Sequence, residues 1–289
     1  MLRRSLPFIA AIAAALAVVS LSAAAHQQAR KTHRFPHRII SLSPTVTEDL
    51  FAIGAGKQVI AVDQDSNYPR RAPRTSLSGF TPNSEAIAKY HPDLVVISYN
   101  PGNFASQLRQ LKIKVVNLPA ANDLPQSYRE ILKLGAITGH TRGAKAVVRS
   151  MRTRLEAIIR SVPKSRRHLR VYHELDPTYY SATSNTFIGS VYRLFGFTDI
   201  ADGADTSSSG GYPQLSGEYI IQQNPQIVVL ADTKCCQQTA ATVASRPGWS
   251  TIAAVQHHRV VGVSDDVASR WGPRIVEFAR AVARIARSG

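Results

Sequence analysis

The sequence predicts an α/β protein with two Rossmann-like lobes, each built on a parallel sheet, that are joined by a single long α-helix. Three observations predict this fold: a segment that occurs twice, an alternation of short apolar runs with helical stretches, and one long amphipathic stretch between the two halves. At 289 residues the chain is long enough to hold two domains with hydrophobic cores of their own.

The repeated segment is the most specific of these observations. Residues 83–96 read NSEAIAKYHPDLVV and residues 216–229 read SGEYIIQQNPQIVV, so the copies lie 133 positions apart without a gap. In each copy a polar residue that can cap a helix lies two positions before a glutamate, Glu85 or Glu218. A proline and a Val-Val pair follow, which is the pattern of a short helix leading into a buried strand. Each lobe is therefore expected to present one glutamate at a helix N-terminus.

Short apolar runs alternate with helical stretches through both halves of the chain, which is typical of parallel sheets covered by helices. The predicted strands are 39–42, 59–62, 94–97, 115–118, 169–175, 226–231 and 259–263. The predicted helices are 45–54, 83–90, 103–111, 186–195, 217–223 and 273–286.

One long helix is predicted between the two halves. Apolar residues recur over 141–162 at i, i+3, i+4 and i+7, while Thr141 can cap the start and Pro163 ends the segment. At a rise of 1.5 Å per residue such a helix spans roughly 33 Å, enough to act as a stiff connector that resists large hinge closure. The predicted organisation is a first lobe at 38–140, a linking helix at 141–163 and a second lobe at 164–289.

The N-terminus has the pattern of a secretory signal peptide. Two arginines precede the apolar stretch 6–21, and an Ala-Ala-Ala site ends at Ala25. We expect residues 1–25 to be cleaved near Ala25, with an uncleaved anchor as the alternative, and 26–37 to form a flexible leader. No cysteine lies near the cleavage site, so a lipoprotein is not expected. The mature protein should be periplasmic or released from the cell.

The chain is strongly basic, with 35 Lys+Arg against 19 Asp+Glu and a formal charge of +16. The basic residues are spread along the sequence and accompany no nucleic-acid-binding motif, so no nucleic-acid partner is expected. An anionic ligand or an anionic envelope surface fits the charge better.

The sequence offers little to an enzyme or a metal site. Gly54 and Gly56 resemble part of a dinucleotide fingerprint, but they follow a helix-like stretch, so they are predicted to form a helix C-cap. The sequence contains no P-loop, G-x-S-x-G elbow or H-E-x-x-H motif. The adjacent Cys235 and Cys236 could form a vicinal disulfide or remain reduced, and alone they do not make a zinc site. We therefore predict no catalytic residue, metal or cofactor.

Four segments together resemble one family. RIISLSPTVTEDLFAIGAGKQVIAVDQDSNYP, NSEAIAKYHPDLVVIS, RPGWSTIAAVQHHRVVGV and DDVASRWGPRIVEFA occur in this order. They resemble the periplasmic binding proteins of the iron–siderophore and vitamin B12 group, the substrate-capturing components of ABC importers. The resemblance runs from Arg38 onward, and it implies a ligand cleft between the two lobes.

The resemblance also implies a role for the duplicated glutamates. In this family a glutamate on each lobe docks against arginines of the permease, and Glu85 and Glu218 occupy the matching positions. The alternative is that each carboxylate only complements its helix dipole, worth about 0.3–1 kcal/mol.

Ligand contacts are expected from loops at the strand ends that face the cleft. Asp266 and Arg270 match polar contacts of the B12-type relatives, although they could be an ordinary surface pair. The aromatic residues in these loops could line a pocket for a large planar or amphipathic ligand, whereas Trp249 is expected to be a packing residue. The predicted contacts are Ser43, Pro44, Tyr68, Phe80, Tyr99, Tyr180, Tyr212, Asp266, Arg270 and Trp271.

The function that this resemblance implies is non-enzymatic capture of a metal-chelate nutrient, namely cobalamin, a ferric siderophore or haem, by a monomer that delivers it to a dimeric inner-membrane permease. One alternative is a two-lobed metal-cofactor or chelatase-like enzyme, for which only Cys235 and Cys236 could supply thiolates. The other is a ligand sensor or scaffold on the same fold.

Overall fold

The computed structural model describes residues 35–288. The signal peptide expected at 1–25, and all but the end of the expected leader, lie outside the described residues. The strands are β1 (Ile39–Leu42), β2 (Val59–Val62), β3 (Leu94–Ile97), β4 (Val115–Asn117), β5 (Arg170–Glu174), β6 (Thr198–Asp199), β7 (Ile227–Leu230) and β8 (Val260–Gly262). The α-helices are α1 (Pro44–Ala52), α2 (Ser84–Ala88), α3 (Phe104–Gln110), α4 (Leu124–Thr138), α5 (Thr141–Arg160), α6 (Phe187–Leu194), α7 (Gly217–Gln223), α8 (Ala240–Ala244), α9 (Ala253–Gln256), α10 (Asp265–Ala268) and α11 (Ile275–Arg287).

The described strands form two four-stranded parallel sheets, in the orders β2-β1-β3-β4 and β6-β5-β7-β8. We call the part of the chain that carries the first sheet the first lobe and the part that carries the second sheet the second lobe. The two orders are the same when each strand of the first lobe is matched to the strand four numbers later. The predicted α/β fold with two parallel sheets is therefore confirmed. Helices α4, α8, α9 and α10 and strand β6 were not predicted. Strand β6 has only two residues, and α8, α9 and α10 have four or five residues each.

The internal repeat forms the same unit in both lobes. Asn83 caps α2 by accepting the N–H of Ala86, and Ser216 caps α7 by accepting the N–H of Tyr219. Each helix then leads into the central buried strand β3 or β7, whose residues are all buried. The repeat therefore reports a duplicated helix–strand unit, as the sequence predicted.

The long helix predicted from the apolar stripe is α5, and it lies between the two sheets in the chain. Its buried residues, Ala144, Val148, Met151 and Leu155, form the stripe. The expected cap by Thr141 is wrong, because the helix starts one residue earlier and His140 occupies the N-cap without a side-chain hydrogen bond. No helix of the described residues is both long and apolar enough to span a bilayer.

Close approach between helices fixes the position of α5. A Cβ added at Gly143 of α5 would overlap the carbonyl oxygen of Ile53, which follows α1, and one at Gly135 of α4 would overlap the Cβ of Ala144. Glycine is required at both places because the backbones have no room for a side chain. Gly54 lies in the left-handed region with φ of 98° and follows the end of α1, as predicted, whereas Gly56 lies within the 3₁₀ turn Ala55–Gln58 and is not part of the cap.

One hydrophobic cluster is common to both lobes. It includes Val46 of α1, Ile131 of α4, Leu155 of α5, Val191 of α6 and Phe278 of α11. The outer face of each sheet has a smaller cluster of its own, which contains the duplicated helix α2 or α7. The shared core, rather than a flexible linker, therefore joins the lobes, and we expect it to resist large hinge motions.

Candidate ligand-binding cleft

A cavity of about 720 Å³ lies where the first lobe meets the segment 265–271 of the second lobe. On the first-lobe side it is lined by the loops that follow β1, β2, β3 and β4, because the carboxyl ends of parallel strands meet at one edge of their sheet. Its volume is in the range of small-molecule sites in proteins. The lining residues are Leu42, Ser43, Pro44, Thr45, Asp63, Asp65, Gly79, Phe80, Ser98, Tyr99, Ala120, Asp265, Asp266, Ser269, Arg270 and Trp271.

Two aromatic side chains on the first-lobe side of this cavity are exposed to solvent. Phe80 is 69% exposed and Tyr99 is 55% exposed. Their ring centroids are 6.4 Å apart, and the rings are tilted by 49°. Large exposed aromatic surfaces that line a concave site are typical of ligand contacts, because a bound ligand can remove both rings from water.

Seven of the ten predicted ligand contacts lie together in this cavity: Ser43, Pro44, Phe80, Tyr99, Asp266, Arg270 and Trp271. Tyr68 lines a separate depression of about 300 Å³, where the guanidinium of Arg274 lies 4.4 Å from its ring centroid. Tyr180 and Tyr212 are exposed side chains on neighbouring segments of the second lobe, outside the residues that line the cavity. The structure therefore separates these three tyrosines from the other predicted contacts.

Arg270 ties the two lobes together beside the cavity. Its side chain is only 7% exposed, and its Nη1 donates to Glu48 Oε1 at 2.7 Å and to Asn67 Oδ1 at 3.0 Å. Its Nη2 donates to the Asp65 carbonyl oxygen at 3.2 Å and to Asp266 Oδ1 at 2.8 Å. Glu48, Asn67 and Asp65 belong to the first lobe, so the guanidinium bridges the lobes as well as lining the site.

The carboxylate of Asp266 completes this bridge. It accepts a hydrogen bond from Asn67 Nδ2 at 2.9 Å and forms an ion pair with Lys234 Nζ at 3.4 Å. Burial alone would raise the pKa of Asp266, but the bond from Asn67 and the charges of Arg270 and Lys234 leave that pKa below its ordinary value. The predicted pair of Asp266 and Arg270 is therefore more than a surface contact, since it is joined to the opposite lobe.

Two neighbouring acids of α1 lie beneath the bridge, and the sequence analysis missed both. Glu48 accepts from Arg270 and also from Arg274 at 3.1 Å. Burial raises the pKa of Glu48 despite these two arginines, and burial together with Glu48 and Glu130 raises that of Asp49 well above its usual range. Two consecutive acids within an apolar helix are a readable signal, because buried carboxylates need partners.

Helix α4 forms hydrogen bonds with the end of the segment 265–271. Trp271 Nε1 donates to Glu130 Oε2 at 3.1 Å, and Ser127 Oγ donates to the Trp271 carbonyl oxygen. Gln126 Nε2 fixes the other oxygen of Glu130 at 3.1 Å. Trp271 is thus held between the cavity and the helix that precedes the long connector.

Two polar residues of the first-lobe wall have buried side-chain atoms for which the described part of the chain supplies no partner. Asp63, directly after β2, is 1% exposed, and its Oδ1 accepts from the N–H of Asp65 at 3.0 Å. Its Oδ2 and the Ser98 hydroxyl oxygen are buried and have no hydrogen-bond partner among residues 35–288. Burial raises the pKa of Asp63 to about 6. Its position immediately after a predicted strand was the available signal.

Cys235 and Cys236 are joined as a vicinal disulfide in the loop after β7. The backbone N–H groups of Lys234 and Cys235 donate to the two carboxylate oxygens of Asp265 at 3.1 and 3.0 Å. Asp265 lines the cavity, whereas neither cysteine does. The loop is therefore hydrogen-bonded to Asp265 of the segment 265–271 but does not itself line the cavity.

A second buried ion pair lies in the second lobe. Arg246 donates to both oxygens of Glu174 at 2.6 and 2.7 Å, and its guanidinium lies 4.6 Å from the ring centroid of Trp249. Trp249 is 1% exposed, which confirms the packing role that the sequence predicted. Neighbouring Asp232 is fully buried, and burial together with Glu174 raises its pKa to about 7.

The two duplicated glutamates lie away from this cavity. Glu85 and Glu218 are exposed residues in the first turns of α2 and α7, on the outer faces of their sheets. The hydrophobic residue two positions after each glutamate, Ile87 or Ile220, is fully buried and fixes its helix against the sheet. The two carboxylates therefore occupy equivalent, rigidly mounted positions on the two lobes.

Comparison with known proteins gives a consistent result. Residues 39–267 match the family described as "Periplasmic binding protein". An ABC transporter substrate-binding lipoprotein of Bacillus subtilis, YvrC, is 31% identical over 84% of this chain and 77% of its own length. A cobalamin-binding protein of Halobacterium salinarum is 32% identical over 84% of this chain and 67% of its own length. A solved periplasmic solute-binding protein of Staphylococcus epidermidis is 28% identical, with a TM-score of 0.74, and covers 88% of this chain and 100% of its own.

Proposed function

Because this chain belongs to the periplasmic binding protein family, we propose that it is the substrate-binding component of an ABC importer. It captures a metal-chelate nutrient without changing it chemically and delivers it to a membrane permease. The nutrient classes are cobalamin, ferric siderophores and haem. The observation that carries the proposal is the cavity of about 720 Å³ between four strand ends of the first lobe and the segment 265–271 of the second.

The lining of the cavity supports a large amphipathic ligand. Phe80, Tyr99 and Trp271 offer aromatic surface, and Asp65 offers an exposed carboxylate. The cobalamin-binding relative supports one member of the nutrient class. We propose Ser43, Pro44, Phe80, Tyr99, Asp266, Arg270 and Trp271 as the contacts.

Glu85 and Glu218 support delivery to a permease with two equivalent subunits. Equivalent carboxylates on two similar lobes can engage two symmetry-related arginine sites at once, which fixes the orientation of docking. The shared core of the lobes helps, because it holds the spacing between the two carboxylates constant. We propose that the protein docks as a monomer.

We further propose that the protein is exported, with its signal peptide cleaved near Ala25 and without a lipid anchor. The Bacillus relative is named a lipoprotein, so the proposed lack of a lipid anchor needs a measurement of its own. Intact mass of the protein recovered from its native envelope decides it. A mass equal to that of the chain from residue 26 onward supports the proposal, and an added lipid mass contradicts it.

Ligand binding is tested by titrating the purified protein with cyanocobalamin, haem and ferric siderophores, followed by calorimetry. We expect one-to-one binding of one class at micromolar or tighter affinity. Phe80→Ala should weaken that binding, whereas Tyr180→Ala, an exposed aromatic residue outside the cavity, serves as the matched control. Binding of no chelate by protein shown to be folded would contradict the proposal and favour the enzyme or sensor on the same fold.

Delivery is tested by uptake of the identified nutrient in cells that carry Glu85→Gln, Glu218→Gln or both. Uptake should fall while ligand affinity of the purified variants is unchanged. Glu156→Gln on α5, an exposed glutamate with a side chain 63% accessible, is the control. Normal uptake by the double variant would show that these carboxylates do not dock the permease.

A further inference from the structure

The charge of the cavity is opposite to that of the whole chain. The chain carries a formal charge of +16. Of the described residues that line the cavity, however, four are aspartates, Asp63, Asp65, Asp265 and Asp266, and one is an arginine, Arg270. The net charge of the protein is therefore a poor guide to the ligand.

The single lining arginine is already satisfied by the protein. Arg270 donates to four partners, including the carboxylates of Glu48 and Asp266, which neutralise its charge. A ligand carboxylate that approached Arg270 would have to displace one of these buried bonds. It would also lie close to the remaining aspartates, and no second cation among the described lining residues offsets the repulsion.

The aspartates that line the cavity differ in whether their carboxylate oxygens already have hydrogen-bond partners. Asp265 accepts from two backbone N–H groups, and Asp266 accepts from Asn67, Lys234 and Arg270. Asp63 is different, since its Oδ2 has no partner among the described residues and no accessible surface, so a ligand donor reaches it when the side chain turns toward the cavity. A buried acceptor without a donor costs free energy that a ligand donor would recover.

We infer that the ligand of this site presents neutral or cationic hydrogen-bond donors, such as amide or ammonium groups, to Asp63, and that chelates bearing peripheral carboxylates are disfavoured. This inference rests on the proposed function and narrows its ligand class. An aromatic pair, Phe80 and Tyr99, would cover the flat part of such a ligand. The donor groups at its edge would point toward Asp63 and Asp65.

The fold supplies an internal control for Asp63. Asp199 ends β6, the strand that corresponds to β2, and its Oδ1 accepts from the N–H of Ala201 at 3.0 Å. Its Oδ2 is also buried without a partner among residues 35–288. Asp199 does not line the cavity, so Asp199→Asn should reproduce the structural effect of Asp63→Asn without the effect on ligand.

The inference is tested with pairs of ligands that share a metal and a ring but differ in peripheral charge. One pair is cyanocobalamin and a corrinoid whose amide side chains are hydrolysed to carboxylates, and the other is the bis-amide of haem and haem itself. We expect the amide member of the pair that binds to bind at least about tenfold more tightly, the effect of a hydrogen bond to a charged group. Asp63→Asn should remove most of that preference, Asp65→Asn part of it, and Asp199→Asn none.

The outcomes separate this inference from the proposal beneath it. Tighter binding of the carboxylate member, or an unchanged preference in both Asp63→Asn and Asp65→Asn, overturns the inference while the binding function stands. Failure of every chelate to bind overturns the binding function and the inference together. Asp65 is exposed, so Asp65→Asn keeps the test decisive if Asp63→Asn does not fold.

Discussion

Replacing Arg270 by methionine isolates the bridge between the lobes. Methionine keeps much of the length and apolar volume of the side chain but removes every hydrogen bond that the guanidinium makes to Glu48, Asn67, Asp65 and Asp266. Glu48 is then a carboxylate with a 2% exposed side chain, left with Arg274 alone. Breaking a buried ion pair on one side costs about 3–5 kcal/mol.

We therefore expect Arg270→Met to lower the free energy of unfolding in urea by about 3–5 kcal/mol at neutral pH. The matched control is Lys234→Met, which removes another partner of the same Asp266 but from a side chain that is 64% exposed. Exposed pairs contribute about 0–1 kcal/mol, so this control should unfold nearly as the parent does.

A double-mutant cycle of Glu48→Gln and Arg270→Met separates the pair from its surroundings. The double variant should be more stable than the sum of the single losses predicts, because it does not leave Glu48 charged and buried. A loss below about 1 kcal/mol in Arg270→Met would refute the reasoning. A large loss of ligand affinity without a loss of stability would mean that Arg270 acts as a ligand contact alone and does not stabilise the junction of the lobes.

Three further predictions concern the core and its buried acids. Gly143→Ala should destabilise by about 1–3 kcal/mol in urea unfolding, because its Cβ would overlap the Ile53 carbonyl oxygen, whereas Ser150→Ala on the exposed face of the same helix should not. Leu155→Ala should cost about 2–5 kcal/mol in the same assay, since Leu155 lies in the core that both lobes share. The pKa of Asp232, raised to about 7 from an ordinary 3.8, means that the folded state holds a proton that the unfolded state has released between these values. Stability should thus fall as pH rises from 4 to 7, and Asp232→Asn should flatten the dependence.

Each of these has a contrary result. An unchanged midpoint in Gly143→Ala would mean that the two helices can separate at little cost. A loss below about 1 kcal/mol in Leu155→Ala would mean that the shared core repacks around the gap. The same pH profile in Asp232→Asn and in the parent protein would assign the titration to another buried acid, such as Asp49.

The sequence was sufficient for those elements whose cause is local. The apolar runs of β1, β2 and β3 are four residues long and buried throughout or nearly so, and their predicted bounds agree with the structure. Capping residues set the starts of the duplicated helices for the same reason. Helix α4 was missed because its buried positions include Ser127 and Glu130, whose burial depends on partners far away in the chain. No local pattern could reveal that.

The same distinction between local and distant causes applies to the residues of the candidate site. Residues directly after strands, such as Ser43 and Tyr99, lie together beside the cavity because the carboxyl ends of parallel strands converge. The function of Arg270 depends on Glu48, which lies 222 positions away, so sequence reasoning found the arginine but not its partner. Tyr180 and Tyr212 were expected from their positions in loops of the second lobe, and they lie outside the residues that line the cavity.

The lobes share a strand order but contribute unequally to the cavity. All four strand ends of the first lobe line it, whereas the second lobe contributes a single segment, 265–271, which is fixed to the first lobe by Arg270 and Trp271. A segment held in this way cannot move far without breaking buried bonds, so ligand entry should depend on side chains at the first-lobe rim, such as Phe80, rather than on separation of the lobes. Phe80 and Tyr99 are exposed, so replacing them should affect the stability of the fold little. Related proteins that bind other ligands can therefore differ at these two positions and keep the bridge residues. Differences in ligand among similar proteins should therefore be sought first in the rim and in Asp63, and last in the residues that join the lobes.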